Sequence, residues 1–156
     1  MELNFAAYDL TTSRGRRALL KAIPPDRETV RKYHVAILDL FRREMDYRRH
    51  GEPNDDPEFD GFENIYWCGL LLYLAGDLAD VSLMWEAKQI DMDTGCGFDI
   101  QFLLGAGVEP TLRFLEENKL NSIADYILSA GQYGDFDNLA EWERFRIQYF
   151  YDDRPV

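Results

Sequence analysis

The stretch that decides the fold is FENIYWCGLLLYLAG, residues 62–76. Its apolar run from Ile65 to Ala75 is 11 residues long, whereas a membrane-spanning helix needs about 20. Wound as a helix, the run is apolar on nearly every side, and such a helix has to be surrounded by other elements. Asp60 and Glu63 have capping-box spacing, and Gly76 is a typical helix stop. We therefore predict a central buried helix over residues 61–75.

The segments on both sides also predict helices, because apolar residues recur in them at three-to-four-residue spacing between capping residues and Gly or Pro stops. These helices fall at residues 11–23, 26–51, 77–90, 98–107, 110–118, 122–131 and 137–150. The predicted caps are Thr12 or Ser13, Asp77, Asp93 or Thr94, Asn121 or Ser122, and Asp137. No segment alternates as a strand does. The sequence predicts an all-α fold: one domain over residues 1–156, with seven or eight helices stacked as hairpins or an irregular solenoid around the central helix.

Composition and cysteine usage narrow the class of protein. Hydrophobic residues make up 46% of the 156 residues, too many for a disordered chain. The first residues show no basic segment followed by an apolar one, so we predict no secretory signal. Only Cys68 and Cys96 are present, which predicts a reducing, cytoplasmic location without disulfides. Cys68 lies in the apolar run and is expected to be buried.

Charge is unevenly distributed along the chain. Residues 1–50 carry a net charge of +4, and residues 51–156 carry −16. An acidic surplus of that size repels phosphate backbones and disfavours nucleic-acid binding. It attracts a basic partner instead, although acidic surfaces also serve solubility alone.

The segment QIDMDTGCGFD, residues 89–99, carries the most suggestive spacing of polar residues. Counted from Asp91, three aspartates occupy positions 1, 3 and 9 of an EF-hand-type loop, the other two being Asp93 and Asp99. The glycine at position 6 and the glutamate at position 12 are missing. The favoured interpretation is therefore a capped helix–helix turn whose acids face outward, with no metal or other cofactor.

A catalytic role for Cys96 or a zinc site has less support. A thiolate nucleophile needs a base, and the only histidines are His34 and His50. His34 falls on the apolar side of its helix, and His50 falls at a helix end. No two of the cysteines and histidines have the spacing of zinc ligands.

Aromatic residues lie in or next to the acidic loops at residues 52–60, 91–99 and 135–137, and they are Phe59, Phe98, Tyr133 and Phe136. Aromatic anchors supply affinity at protein interfaces, and charges supply speed and register. We predict a surface for a basic protein partner. Its candidate contact residues are Asp91, Asp93, Asp99, Asp135, Asp137, Phe98 and Phe136.

The stretches WEAKQIDMDTGCGFDIQFLLGAG, residues 85–107, and GQYGDFD, residues 131–137, resemble small acidic immunity proteins of bacterial polymorphic toxin systems. The resemblance covers about residues 61–137. It implies a stoichiometric inhibitor, monomeric or weakly dimeric, that binds neither nucleic acid nor membrane. Such a protein neutralises a cognate toxin by covering its basic cleft.

Two other classes of function stay open at this point. One is a small hydrolase-type enzyme that uses the turn at residues 91–99, with or without a metal. The other is an α-helical scaffold or adaptor in a larger assembly.

Overall fold

The computed structural model describes residues 2–53 and 55–152, and its regular structure is entirely helical. Within these residues nine α-helices and no β-strand are present, which confirms the all-α prediction and exceeds the predicted number of helices. The helices are α1 (Ser13–Ala22), α2 (Arg27–Lys32), α3 (His34–His50), α4 (Asn64–Ala75), α5 (Val81–Lys88), α6 (Met92–Gly97), α7 (Val108–Glu117), α8 (Asn121–Gly131) and α9 (Leu139–Tyr151). Short 3-10 helices occupy Phe5–Ala7, Leu78–Asp80 and Ile100–Leu104. None of the described helices combines the length and hydropathy that crossing a membrane requires.

The contacts of the chain divide it into two units, Met1–Ala75 and Gly76–Val156. A single domain over the whole chain stays a prediction. In the first unit α1, α2 and α3 pack against α4. In the second, α5 packs against α6, and the 3-10 helix at Ile100–Leu104 packs against both α5 and α7. Helices α7 and α8 pack against each other in the same unit.

The central helix of the prediction is α4. Eleven of its twelve residues are buried, which confirms its place at the core of the first unit. It begins at Asn64, three residues later than predicted. The Asp60 carboxylate accepts a hydrogen bond from the backbone N–H of Phe62 at 3.0 Å, in a local turn that precedes the helix. Gly76 follows the helix with a φ of +66°, a conformation that favours glycine.

The predicted helix over residues 26–51 is broken at Tyr33 into α2 and α3. The Tyr33 backbone departs from helical geometry, with φ −103° and ψ 19°. Its hydroxyl accepts a hydrogen bond from the backbone N–H of Leu3 at 3.1 Å, and its ring meets the Phe5 ring edge-on at 5.4 Å. Apolar spacing continues unchanged through Tyr33, so the sequence pattern does not register this break.

A buried polar cluster lies beside α4. Arg16 of α1 is 2% exposed and Glu44 of α3 is 1% exposed, and Arg16 Nε donates to Glu44 Oε1 at 2.5 Å. Arg16 Nη2 also forms an ion pair with Glu52. Asn64 Nδ2 donates to Glu44 Oε1 at 3.1 Å and to the backbone oxygen of Ser13 at 2.9 Å. The cluster therefore ties three helices to the start of the acidic loop at residues 52–60, of which Asn54 lies outside the described residues.

Helix caps follow the sequence closely but not always at the predicted residue. Thr12 accepts from the backbone N–H of Gly15 and Asp77 from that of Ala79, which confirms both caps. The cap of α9 is Asn138, one residue after the predicted Asp137. The predicted helix over residues 98–107 is instead the 3-10 helix Ile100–Leu104, which begins without a side-chain cap, so the predicted cap at Asp93 or Thr94 is wrong. Both residues lie inside α6, a short helix within the predicted turn that is capped by Asp91. Contrary to prediction, α8 begins without a side-chain cap.

A lysine occupies the position after α7 where glycine is usual. Lys119 has a φ of +58°. Its N–H bonds to the Glu116 oxygen at 3.1 Å, and the Leu120 N–H bonds to the Leu115 oxygen at 2.8 Å, which is a Schellman motif. Because a Cβ is strained in this conformation, Lys119→Gly is expected to raise the free energy of unfolding by about 0.5–1 kcal/mol. Urea unfolding measures this, with Lys119→Ala as the unchanged control; a less stable glycine variant contradicts it.

Candidate functional site

The first half of the acidic turn is a short helix with a capping box. Asp91 Oδ1 accepts a hydrogen bond from the backbone N–H of Thr94 at 2.8 Å, and the Thr94 hydroxyl oxygen accepts from the Asp91 N–H at 3.0 Å. This reciprocal pair starts α6. Asp91 and Asp93 are both exposed, as predicted for acids that face outward.

A buried lysine holds the other end of this turn. The Lys88 ammonium donates to the backbone oxygens of Gly95 and Phe98, each at 2.7 Å, and the residue is 6% exposed. Burial lowers the pKa of Lys88, and the nearby Asp99 and Cys96 oppose that shift. Sequence reasoning missed this residue. The signal was present, since Lys88 follows Val81 and Met84 at helical spacing on the buried side of α5.

Asp99 is occupied by two side chains of α9. Its Oδ2 accepts from Trp142 Nε1 at 3.0 Å and from Arg146 at 2.8 Å (Nε) and 2.5 Å (Nη2). The Asp99 side chain is 19% exposed. Asp99 is therefore not an outward-facing acid as Asp91 and Asp93 are, because it is half-buried and forms an ion pair with a cation 47 residues further along the chain. Its role as a partner contact stays a prediction.

The aromatic residues of the predicted surface divide into buried and partly exposed ones. Phe98 has no exposed area, and its ring meets the Phe102 ring edge-on at 5.0 Å. Its prediction as an exposed contact residue is wrong, because the side chain belongs to the core of the second unit. Phe136 is half-buried against α8, where a Cβ on Gly131 would lie 3.2 Å from its ring. Tyr133 is 84% exposed.

The acidic turn after α8 lies next to the segment that follows Asp99. Gln101 Nε2 donates to the backbone oxygen of Asp135 at 3.1 Å. Asp135 and Asp137 are exposed, as predicted. Gly134, which lies between Tyr133 and Asp135, has a φ of +78°, and this conformation allows the chain to reverse there.

The acidic loop at residues 52–60 uses most of its charges within its own unit. Glu52 belongs to the buried cluster, and Asp56 pairs with Arg14 at 2.6 Å. Both Asp55 carboxylate oxygens accept from the Tyr47 hydroxyl at 3.1 Å. Phe59 is half-buried beneath the guanidinium groups of Arg14 and Arg17. The charges of Glu52 and Asp56 are therefore paired within the first unit.

The second unit exposes far more acids than cations within residues 76–152. Three of its basic residues are exposed, Arg113, Lys119 and Arg144. The other two in that range, Lys88 and Arg146, are turned inward onto backbone oxygens and Asp99. The exposed acids number twelve and are Asp77, Glu86, Asp91, Asp93, Glu109, Glu116, Glu117, Asp125, Asp135, Asp137, Glu141 and Asp152. Exposed acids thus outnumber exposed cations four to one, whereas all acids of residues 76–152 outnumber all cations three to one.

The alternative chemistries of the turn find no supporting geometry among the described residues. Asp91, Asp93 and Asp99 do not bring three ligand atoms within reach of one cation. Cys96 is exposed, and the sequence from residue 76 onward contains no histidine. Cys68 is fully buried, as predicted, and burial raises the pKa of its thiol.

No protein-family model matches the chain, and neither the curated proteins nor the solved structures contain a match. The resemblance to immunity proteins therefore stays a prediction.

Proposed function

We propose that the chain is a stoichiometric protein inhibitor of the immunity type, which binds a cognate basic toxin in the cytoplasm through the acidic surface of its second unit. The observation that supports this proposal is the ratio of twelve exposed acids to three exposed cations in residues 76–152. A surface of one charge sign attracts a partner of the opposite sign over distances of about 10 Å at moderate salt.

Exposed apolar side chains among these acids supply the second requirement of a protein interface. Met92 is 85% exposed between Asp91 and Asp93, and Tyr133 is 84% exposed two residues before Asp135. Methionine and tyrosine are enriched at protein interfaces, where charged residues form the rim. We therefore place the contact surface on the two acidic turns and define it by Asp91, Met92, Asp93, Tyr133, Asp135, Phe136 and Asp137.

The contact surface would act by covering the partner rather than by chemistry. Its acids would occupy the cations of a toxin's substrate-binding cleft, and Met92 and Tyr133 would pack against apolar surface beside that cleft. The turn at residues 91–99 is built in advance, since the capping box fixes Asp91 and Lys88 holds the backbone oxygens of Gly95 and Phe98. A surface that is already ordered loses less conformational entropy when it binds.

Neutralising the contact surface is expected to slow association. The variant combines Asp91→Asn, Asp93→Asn, Asp135→Asn and Asp137→Asn, and asparagine keeps the cap of α6. We expect its association rate with the partner to fall about tenfold at low salt, because long-range steering is lost. The measurement is a kinetic binding assay with the wild type and the variant, each at low and moderate salt.

A matched variant separates the contact surface from net charge. This variant removes an equal number of charges, four, from exposed positions on α7 and α8. Its substitutions are Glu109→Gln, Glu116→Gln, Glu117→Gln and Asp125→Asn. We expect this control to slow association much less than the first variant does. Equal rates for the two variants would show that the partner responds to total charge and not to the two turns.

A further inference from the structure

The C-terminal helix α9 is much less buried than the other long helices. Only Phe150 among its thirteen residues is buried, whereas α4 buries eleven of twelve. Phe145 is 55% exposed, and Trp142 and Tyr149 are only half-buried. A segment with little buried apolar surface opens at a lower free energy than the structure as a whole.

Two side chains in the middle of α9 bind the same carboxylate oxygen, which belongs to Asp99. Trp142 and Arg146 lie four residues apart on one side of the helix, and together they donate three N–H groups to Asp99 Oδ2. The Trp142 ring also meets the Phe102 ring edge-on at 5.3 Å. Because the Arg146 and Asp99 side chains keep 22% and 19% of their area exposed, water and salt can compete for this ion pair.

We infer that α9 is a releasable helix, and that Asp99 is its latch. In the closed state Arg146 and Trp142 bind the Asp99 carboxylate, and the Trp142 ring packs against the Phe102 ring. When α9 opens as a unit, Asp99 and Phe102 become accessible beside the turn that ends at residue 99. Under the proposed function, a partner's arginine would then take the place of Arg146, so α9 is an internal competitor of the partner.

Hydrogen exchange of the full-length protein tests this inference without any partner. In the wild type, amides of residues 139–151 are expected to exchange well ahead of those in α4, α5 and α8. Asp99→Asn removes the ion pair and should accelerate exchange in α9 by about tenfold, as expected for losing a charge-assisted hydrogen bond. Exchange in α5, α7 and α8 should not change. Arg146→Gln keeps the Trp142 bond to Asp99 and should give a smaller acceleration in the same residues.

Asp125→Asn is the control, because it removes an equally charged but exposed side chain from α8. It should leave α9 unchanged. The inference is overturned if α9 exchanges in step with the rest of the wild-type chain, or if Asp99→Asn accelerates all helices alike. Since neither result depends on a partner, failure here is distinct from failure of the proposed function.

Discussion

Replacing Arg16 with methionine is expected to lower the free energy of unfolding by about 3–5 kcal/mol, the range seen when one partner of a buried ion pair is removed. Arg16 lies between two carboxylates inside the first unit, with Glu44 on its Nε and Glu52 on its Nη2. Its Nη1 also donates to the backbone oxygen of Leu10 at 3.0 Å. Methionine fills a similar volume but leaves both carboxylates without a counter-charge.

The burial of Glu44 explains why the effect should be large. Desolvation already raises the pKa of Glu44, and the hydrogen bond and charge of Arg16 act against that shift. Without Arg16 the charged form of Glu44 has only the Asn64 amide as a donor among the contacts described above. The variant would either bury an uncompensated charge or take up a proton on folding, and both reduce stability.

Arg14 provides the matched control for this prediction. It lies on the same helix and also pairs with an acid, Asp56, but its side chain is 61% exposed. Arg14→Met should therefore change stability far less, because exposed ion pairs are screened by water. Urea unfolding of the two variants gives the comparison. Similar midpoints for Arg14→Met and Arg16→Met would contradict a structural role for the buried cluster.

Replacing Lys88 with methionine is expected to lower the free energy of unfolding by about 2–4 kcal/mol, from two buried acceptors that each lose a charged donor. Both backbone oxygens, of Gly95 and Phe98, accept from the ammonium at 2.7 Å. Gly95 lies within α6, and Phe98 is the first residue after this helix. The loss of both hydrogen bonds should therefore destabilise the acidic turn locally. Methionine is more apolar than lysine, so its burial is favourable, but this gain in free energy offsets only part of the stability lost with the two hydrogen bonds.

Two measurements check the prediction for Lys88. Urea unfolding gives the stability, and backbone amide chemical shifts show whether residues 94–99 move while α7 and α8 keep their positions. Lys119→Met is the control, because it removes an exposed lysine of the same unit. A Lys88→Met variant as stable as this control, with unchanged shifts in the turn, would contradict the role assigned to the ammonium.

Features that depend on neighbouring residues were predictable from the sequence. The central helix followed from an apolar run that has no polar side, and α4 confirms it. The caps at Thr12 and Asp77 followed from short-range geometry in the same way. The break at Tyr33 was not predictable, since its ring and hydroxyl contact Phe5 and Leu3, about 30 residues earlier in the chain.

In the candidate site, too, the contacts between residues distant in the sequence were the ones that could not be predicted. Asp91, Asp93 and Asp99 are equivalent in a charge pattern, yet two are exposed and the third is held by Arg146 and Trp142. Nothing near Asp99 in the sequence indicates that pairing. Lys88 was the detectable case, because a lysine at helical spacing from buried residues needs acceptors within the fold.

Under the proposed function the acidic surface of residues 76–152 binds a basic protein, and affinity capture is the most direct test of this binding. Three tagged forms are compared: the wild type, the four-aspartate variant of the contact surface and the matched control variant. Each is incubated with extract of the organism from which the protein comes. We predict that the wild type and the control retain one basic protein in a one-to-one complex that moderate salt weakens, while the four-aspartate variant retains much less. Capture of no basic protein, or equal capture by all three forms, would contradict the account.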